Sequence, residues 1–292
     1  MTGRSALHRY AAASAVATFL LLIAGGLVTS TDSGLAVPDW PLSYGTWFPP
    51  MVGGIRYEHG HRMLAGIVGL MILALAVWLR RAEPRRWVRR LGYGALGAVF
   101  AQALLGGLTV VLMLPPAVSI AHACLGQTVF TLMTCLAACT SPRWDEQPSL
   151  VEARDVTRLQ VLAPAVAGLA AVQLLVGAVI RHTGYGMHPH LAVAVLLLLA
   201  AGWLMQHLAR LRRQLPGAWR LVLRVVGLLL LQAMLGGSVL MHRASVALRT
   251  GHVAVGALVL SQAVLLAWHV RRTTTGAPFP LARRPVAAEA GS

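Results

Sequence analysis

Apolar runs of about 20 residues, each long enough to cross a hydrocarbon core, recur along the whole chain. Eight lie near positions 10–30, 61–79, 91–113, 118–139, 159–180, 190–208, 219–241 and 251–270. With 57% hydrophobic and only 12% charged residues, little polar sequence is left over to build a separate soluble domain. Only helices satisfy their own backbone groups along such runs. The expected fold class is therefore an all-α polytopic membrane protein with eight transmembrane helices. The first run is too long for a signal h-region and lacks a convincing cleavage site, so it reads as a retained helix.

The formal charge of +16 invites a nucleic-acid reading, but its distribution opposes one. The basic residues are all arginine, and they alternate by loop. Arg80, Arg81, Arg85, Arg86, Arg89 and Arg90 fall in one connection, Arg210, Arg212, Arg213 and Arg220 in another, and Arg271 and Arg272 follow the last run. The alternate loops carry only Arg56, Arg181, Arg243 and Arg249, with Arg62 at a helix mouth. Arginine-rich short loops stay cytoplasmic, so both termini are expected inside. The charge is an orientation signal and a contact for anionic lipid, with no nucleic-acid partner. Cys124, Cys135 and Cys139 all fall in the fourth run, where neither a disulfide framework nor a CxxC metal motif is available.

The chain is an internal duplication. "FAQALLGGLTV" (100–110) matches "LLQAMLGGSVL" (230–240), placing Gln102 opposite Gln232. His122 pairs with His252 at the same offset, His61 pairs with His190, and "LIAGGLVTSTDSG" aligns loosely with "LLVGAVIRHTGYG". Each half contains an even number of crossings, so the simplest packing is two pseudo-symmetric four-helix bundles of equal orientation. The expected division is 1–140, a polar cytoplasmic linker at 141–158, a second half at 159–272 and a cytoplasmic tail at 273–292.

Eleven histidines are many for such a chain, and eight lie toward one side. His61, His122, His190 and His252 begin the even-numbered helices, one pair per repeat. Paired imidazoles on neighbouring helices suit a porphyrin iron, one on each face. One turn deeper stand Ala65, Gly126, Ala194 and Gly256, small enough to admit a ring. Zinc would want closer spacing or cysteines. Copper on His182, His188 and His242 is a weaker alternative. Any single histidine reads most simply as a helix-mouth residue bonded to a carbonyl or water; four at repeat-equivalent positions do not.

The halves differ in one respect. Glu58 stands one turn before His61 and Arg62 follows it, whereas Met187 and Leu191 occupy the equivalent places around His190. A carboxylate at a heme edge can accept a hydrogen bond, move a proton or stabilise developing charge. Arg62 can hold a propionate or fix Glu58. The plain alternative is a surface ion pair at i, i+4. The asymmetry suggests a reactive first half and a structural or electron-transfer second half. His59 is the rival of His61 as a ligand, but it lies about 200° around the helix from it.

With "YEHGHR", "SGLAVPDWP", "AHACLGQ", "RTGHVAVG" and the two "QAxLGG" stretches, the chain resembles the heme A synthases of bacteria and mitochondria over residues 10–270. The resemblance implies an oxidoreductase of the cell membrane that converts the C8 methyl of heme O to a formyl group by successive hydroxylation. It implies heme b on His190 and His252, the substrate heme on His61 and His122, and Glu58 as a catalytic residue. It also implies a heme O synthase and cytochrome c oxidase assembly factors as partners, an electron donor that the sequence does not identify, and room for a homo-oligomer. Many bacterial relatives carry a cysteine pair in the first outer loop. Val37 and Ser43 stand in those places here, so a mechanism through that pair is unavailable. The retained "PDW" loop is expected to cap the first-half site. Two other function classes compete: a di-heme b-type electron carrier, and a heme-handling assembly factor for the terminal oxidase.

Overall fold

In the computed structural model, residues 2–145 and 156–275 are described. The middle of the expected linker, 146–155, and the tail from 276 onward lie outside the described residues. The eight expected helices are all present: α1 Thr2–Ser30, α2 Ile55–Ala82, α3 Arg86–Val111, α4 Pro116–Thr140, α5 Val156–Thr183, α6 Met187–Arg210, α7 Pro216–Met241 and α8 Val246–Thr275. Each is long and apolar enough to cross a membrane. All extend past the apolar run that announced them. A helix that has left the apolar zone still gains a backbone hydrogen bond for each residue added. The extension matters at α2, where Glu58 and His59 become helical and buried.

Helix boundaries follow local chemistry. Pro116 and Pro216 open α4 and α7, where a missing N–H costs nothing. Gly184 and Gly186, with φ of 78° and 105°, make the tight reversal between α5 and α6 that a side chain would strain. The long connection 31–54 between α1 and α2 has no counterpart elsewhere among the described residues.

The duplication is visible in which helices touch. In the first half α1 packs on α2 and α4, and α3 on both α2 and α4. In the second half α5 packs on α6 and α8, and α7 on both α6 and α8. The halves meet through α1 on α8, α5 on α4, and α4 on α8. The first two of these are equivalent under the repeat and the third maps onto itself, as a pseudo-twofold junction requires.

Two buried apolar clusters, one for each half, lie toward the arginine-rich end. One gathers Ile72, Leu75, Leu79, Val88, Met133 and Leu136 with Trp268 of α8; the other gathers Leu159, Val166, Leu204, Leu208, Val222 and Leu266. Cys135 and Cys139 are free thiols packed in the first cluster. The histidine positions begin beyond these clusters, at the opposite end of the same helices. One end of the bundle is thus close-packed, and the other is left to polar side chains.

A buried ion pair closes the packed end. In the turn between α2 and α3, Arg85 grips Glu83 in a fork, with Nε to Oε1 at 2.6 Å and Nη2 to Oε2 at 2.8 Å. Arg85 Nη2 also donates to the Cys139 carbonyl of α4 at 2.9 Å. Burial by itself would raise the Glu83 carboxyl, but the Arg85 side chain and backbone N–H outweigh it. The net shift is downward from the ordinary 4.5. A carboxylate whose folded-state pKa is lowered stabilises fully above its unfolded value and loses that contribution as pH falls through the folded one. The Glu83→Gln variant should therefore be less stable at neutral pH by about 1–2 kcal/mol. Thermal melting in detergent should also show it less sensitive than the parent to acidification below pH 4.5.

Candidate functional site: two histidine pairs at one end of the bundle

His61, His122, His190 and His252 each lie against a glycine of the preceding helix. A Cβ placed on Gly25 of α1 would come within 3.1 Å of the His61 ring, and one on Gly106 of α3 within 3.1 Å of His122. The same construction gives 3.2 Å from Gly177 of α5 to His190 and 3.2 Å from Gly236 of α7 to His252. Four imidazoles thus occupy four equivalent seats, each open only because the facing residue has no side chain. The fixed spacing of glycine and histidine along neighbouring helices carried this signal in the sequence.

Three of the four rings also meet a glutamine one turn from that glycine. The Gln102 amide lies 3.5 Å from His122 Nε2 and donates to the His122 carbonyl at 2.9 Å. Gln173 lies 3.2 Å from His190 Nε2, and Gln232 lies 3.3 Å from His252 Nε2. Sequence reasoning paired Gln102 with Gln232 but missed Gln173, although Q-x-x-x-G recurs at all three places. The fourth seat has Leu21 where the others have glutamine. Gly126 and Gly256 were expected to leave room for a ring. Instead their Cα atoms face the glutamine amides, at 3.0 and 3.2 Å from a Cβ position. Their smallness makes space for the side chains that contact His122 and His252.

In the second half, the rings of His190 and His252 face one another with centroids 6.4 Å apart. Two imidazoles bound from opposite sides through nitrogens about 2.0 Å from one metal put their centroids roughly 6 Å apart. In the first half, His61 and His122 lie within electrostatic reach of each other. The Nδ1 atom of each of the four is buried with no hydrogen-bond partner. Among the described residues no three of His, Cys, Asp and Glu gather as a metal cluster, so His182, His188 and His242 do not come together. His188 and His242 are exposed, and His182 is half-buried within reach of His122. The donor set fits metals held by two imidazoles each, as a porphyrin iron is.

The 31–54 loop folds over the first-half pair. Glu58 is buried, at 4% exposure, and both its oxygens are engaged. Oε2 accepts the Val37 N–H at 2.8 Å, and Oε1 accepts Arg62 Nη2 at 2.5 Å. The Arg62 guanidinium also donates to the carbonyls of Val37, Asp39 and Leu42 at 3.2, 2.7 and 2.9 Å. The Glu58–Arg62 contact is therefore no surface pair. It bolts the loop backbone to α2, and among the described residues Glu58 is the carboxylate that Arg62 hydrogen-bonds. His59, the rival ligand, points away from the pair and meets Ser43 Oγ through Nδ1 at 2.8 Å. Asp39 shapes the loop tip by accepting from the N–H groups of Gly45 and Tyr44, which hold its carboxyl below the usual range. The Trp40 indole lies on Gly107 of α3, where a Cβ would come within 2.6 Å of it, next to the His122 seat. Val37 and Ser43 are both buried docking points of this loop.

The fold and site define an eight-helix, internally duplicated membrane-spanning bundle with one histidine pair per repeat at a single end. Residues 55–192 match the family model described as cytochrome oxidase assembly protein (COX15-CtaA). A heme A synthase of Symbiobacterium thermophilum is 32% identical over 189 residues, 62% of this chain and 61% of that protein. A heme A synthase of Lysinibacillus sphaericus is 39% identical over 103 residues, 34% of each chain, and one from an Exiguobacterium strain is 47% identical over 70 residues, 23% of each. The aligned stretches thus span about three fifths or less of these relatives' length. Over these stretches the chain is similar to this family of cytochrome oxidase assembly proteins and to its heme A synthases.

Arg62 is the hub of the loop contacts, so Arg62→Ala should loosen the 37–46 segment without unfolding the bundle. Limited proteolysis in detergent should cut that segment about tenfold faster or more, while helix content by circular dichroism stays unchanged.

Proposed function

We propose that this chain is a heme A synthase: a membrane oxidoreductase that takes heme O and oxidises its C8 methyl group, through successive hydroxylation and loss of water, to a formyl group. The observation that carries the reading is the quartet of histidines on glycine seats, duplicated in position, with the buried carboxylate–guanidinium assembly at only one pair. His61 and His122 are the proposed ligands of the substrate heme. His190 and His252 are the proposed ligands of a resident heme b, which when bound supplies one-electron transfer. The remaining requirements fall to the protein.

A farnesylated porphyrin would reach the first-half pair sideways between helices from the bilayer. Seating of His61 on Gly25 and of His122 on Gly106 fixes the depth of the rings. Trp40 and the loop it belongs to exclude water from the first-half pair. Glu58 stands one turn from His61 on the same helix face. Held by Arg62 and the Val37 N–H, its carboxyl group is fixed in position beside the first-half pair, where oxidation of the methyl group develops positive charge. A pure electron carrier gains nothing from this assembly, and the second half lacks it.

In this reading the first half, 1–140, is the catalytic unit and the second, 159–272, the electron-transfer unit. The protein is a multi-pass component of a bacterial plasma membrane with both termini cytoplasmic, its arginine-rich end facing the cytoplasm. Dioxygen is the oxidant, an external reductant supplies the electrons that its activation consumes, and assembly factors of the terminal oxidase are the downstream partners.

The test is to identify the hemes extracted after co-expression with a heme O synthase under aerobic conditions. Heme A or its hydroxylated precursor should appear only when this chain is present; unchanged heme O would sink the proposal. Glu58→Gln leaves Arg62 its three carbonyl acceptors. It should keep the resident heme but lower formyl production at least about a hundredfold.

The seats give a further test that leaves every ligand intact. Gly177→Leu should displace His190 and abolish heme b binding as fully as His190→Ala does. Gly168→Leu on the same helix, where nothing lies within 4 Å of a new Cβ, should retain the heme. Absorption spectra of the purified variants decide it.

A further inference from the structure

Two arginines at the junction of the halves are not used by the function just described. Arg249 Nη2 donates to the Ser30 carbonyl at 2.5 Å, and Arg181 Nη2 donates to the Ser30 hydroxyl at 2.8 Å. Thr250 completes the group, its hydroxyl 3.0 Å from the Ser30 hydroxyl. Arg249 Nε is buried with no partner. Asp32 lies within electrostatic reach of Arg181, but among the described residues no hydrogen bond or ion pair joins Asp32 to either guanidinium. One neutral serine at the end of α1 therefore accepts from two cations. A serine and a helix-end carbonyl supply too little negative charge to match a pair of half-buried guanidiniums.

Their place in the fold shows what would. Arg249 is three residues before His252 on α8, one turn nearer the helix start and on the same face. Arg181 is four residues after Gly177, the seat of His190, one turn farther along α5 toward the loop end. Arg181 is close enough to His252 for their charges to interact. Both guanidiniums thus sit on the outer rim of the second histidine pair. A porphyrin held between those two imidazoles would carry its two propionate carboxylates together on one edge, and the polar rim is where that edge belongs. Guanidinium is the side chain best matched to a carboxylate, through charge-assisted and often paired hydrogen bonds.

We infer that Arg181 and Arg249 form a carboxylate clamp for the propionates of the second-half porphyrin, and that the first half lacks such a clamp. The positions equivalent under the repeat are Thr29 and Ser119. Thr29 spends its hydroxyl on the Gly25 carbonyl at 3.2 Å, and neither residue carries charge. The first-half arginine, Arg62, is committed to Glu58 and to loop carbonyls. Retention is thereby built into one site and left out of the other, which suits a resident cofactor beside a substrate that must leave. The inference rests on the heme reading of the histidine pairs.

The test uses the full chain, purified in detergent, in a His61→Ala background so that only the second pair is titrated. Iron protoporphyrin IX and its dimethyl ester, whose carboxylates are blocked, are the probes, and the bis-imidazole absorption bands are the readout. The parent should prefer the free acid. Arg181→Gln and Arg249→Gln should each weaken free-acid binding about tenfold and leave ester binding within about twofold, erasing the preference when combined. Arg181→Lys with Arg249→Lys should restore part of it. A double glutamine variant that keeps the free-acid preference, or that loses acid and ester equally, would overturn the clamp, the second result assigning the arginines to the α1 junction alone. Bis-imidazole bands that persist in His252→Ala would sink the heme reading itself, and this inference with it.

Discussion

The arrangement depends on four close approaches between a helix backbone and an imidazole ring. At Gly25, Gly106, Gly177 and Gly236 the odd-numbered helix comes so near its partner's histidine that even a methyl group would crowd the ring. Such contacts cost little to form, because glycine interfaces are common where helices associate without a hydrophobic drive. Their consequence is large: each ring loses its freedom to swing, and its depth along the helix axis is set by the crossing of two helices. A metal site needs this rigidity, since ligands held loosely by their own rotamers place an iron poorly. The close packing of the arginine-rich end supplies the rest. The helices are locked together by Leu79, Leu136, Leu204 and Leu266 toward the arginine-rich end, so the end that holds the two histidine pairs can stay polar without the bundle dissolving.

On this common frame the two halves diverge by additions at the rim. The first adds a 24-residue connection, 31–54, and anchors it with Glu58, His59 and Arg62 from the first turns of α2. The second adds Arg181 and Arg249. Each addition involves buried or half-buried charge, which is expensive unless paired. In the first half the pairing is internal: carboxylate with guanidinium, and the remaining donors with backbone carbonyls. In the second the guanidiniums share one serine between them. A charge that the protein fully satisfies for itself holds structure in place, and one that it leaves under-satisfied favours an incoming anion. The difference is electrostatic and separates the two sites although their histidines are equivalent.

Much of this was legible from the chain alone, for identifiable reasons. Hydrophobic run length determines membrane helices because the bilayer tolerates no other backbone, so all eight appeared where expected. Duplication was readable because the repeats keep Gln, Gly and His in register. What escaped was tertiary. The path of the 31–54 loop has no periodicity, so nothing in "YEHGHR" revealed that Glu58 bonds the Val37 N–H or that His59 bonds Ser43. Gln173 escaped although its spacing from Gly177 repeats that of Gln102 and Gln232. Its surrounding residues differ enough from "QALLGG" that similarity of sequence hides equivalence of position. Gly126 and Gly256 were read with the right size and the wrong neighbour, since spacing along a helix says which face a residue shares but not what packs against it.

The seat at His61 is the odd one of the four, and its difference runs in the same direction as the others. His122, His190 and His252 each have a glutamine amide within reach of the ring; His61 has Leu21 in that place. A polar side chain beside an imidazole restricts its tautomer and tilt, and His61, which meets only the Leu21 backbone there, lacks that side-chain restraint. On the proposed reading, the first half combines a histidine with no glutamine beside it and the absence of a charged rim at Thr29 and Ser119. Both lower the barrier to exchanging what that half holds, while the anchored loop opposes them and sets when exchange occurs. On the same reading the second half combines two histidines beside glutamine amides with two guanidiniums at the rim, and each of these raises that barrier. A gene duplication begins with two identical sites. Making one retain and the other release requires no change to the ligands, only to the residues one turn away from them.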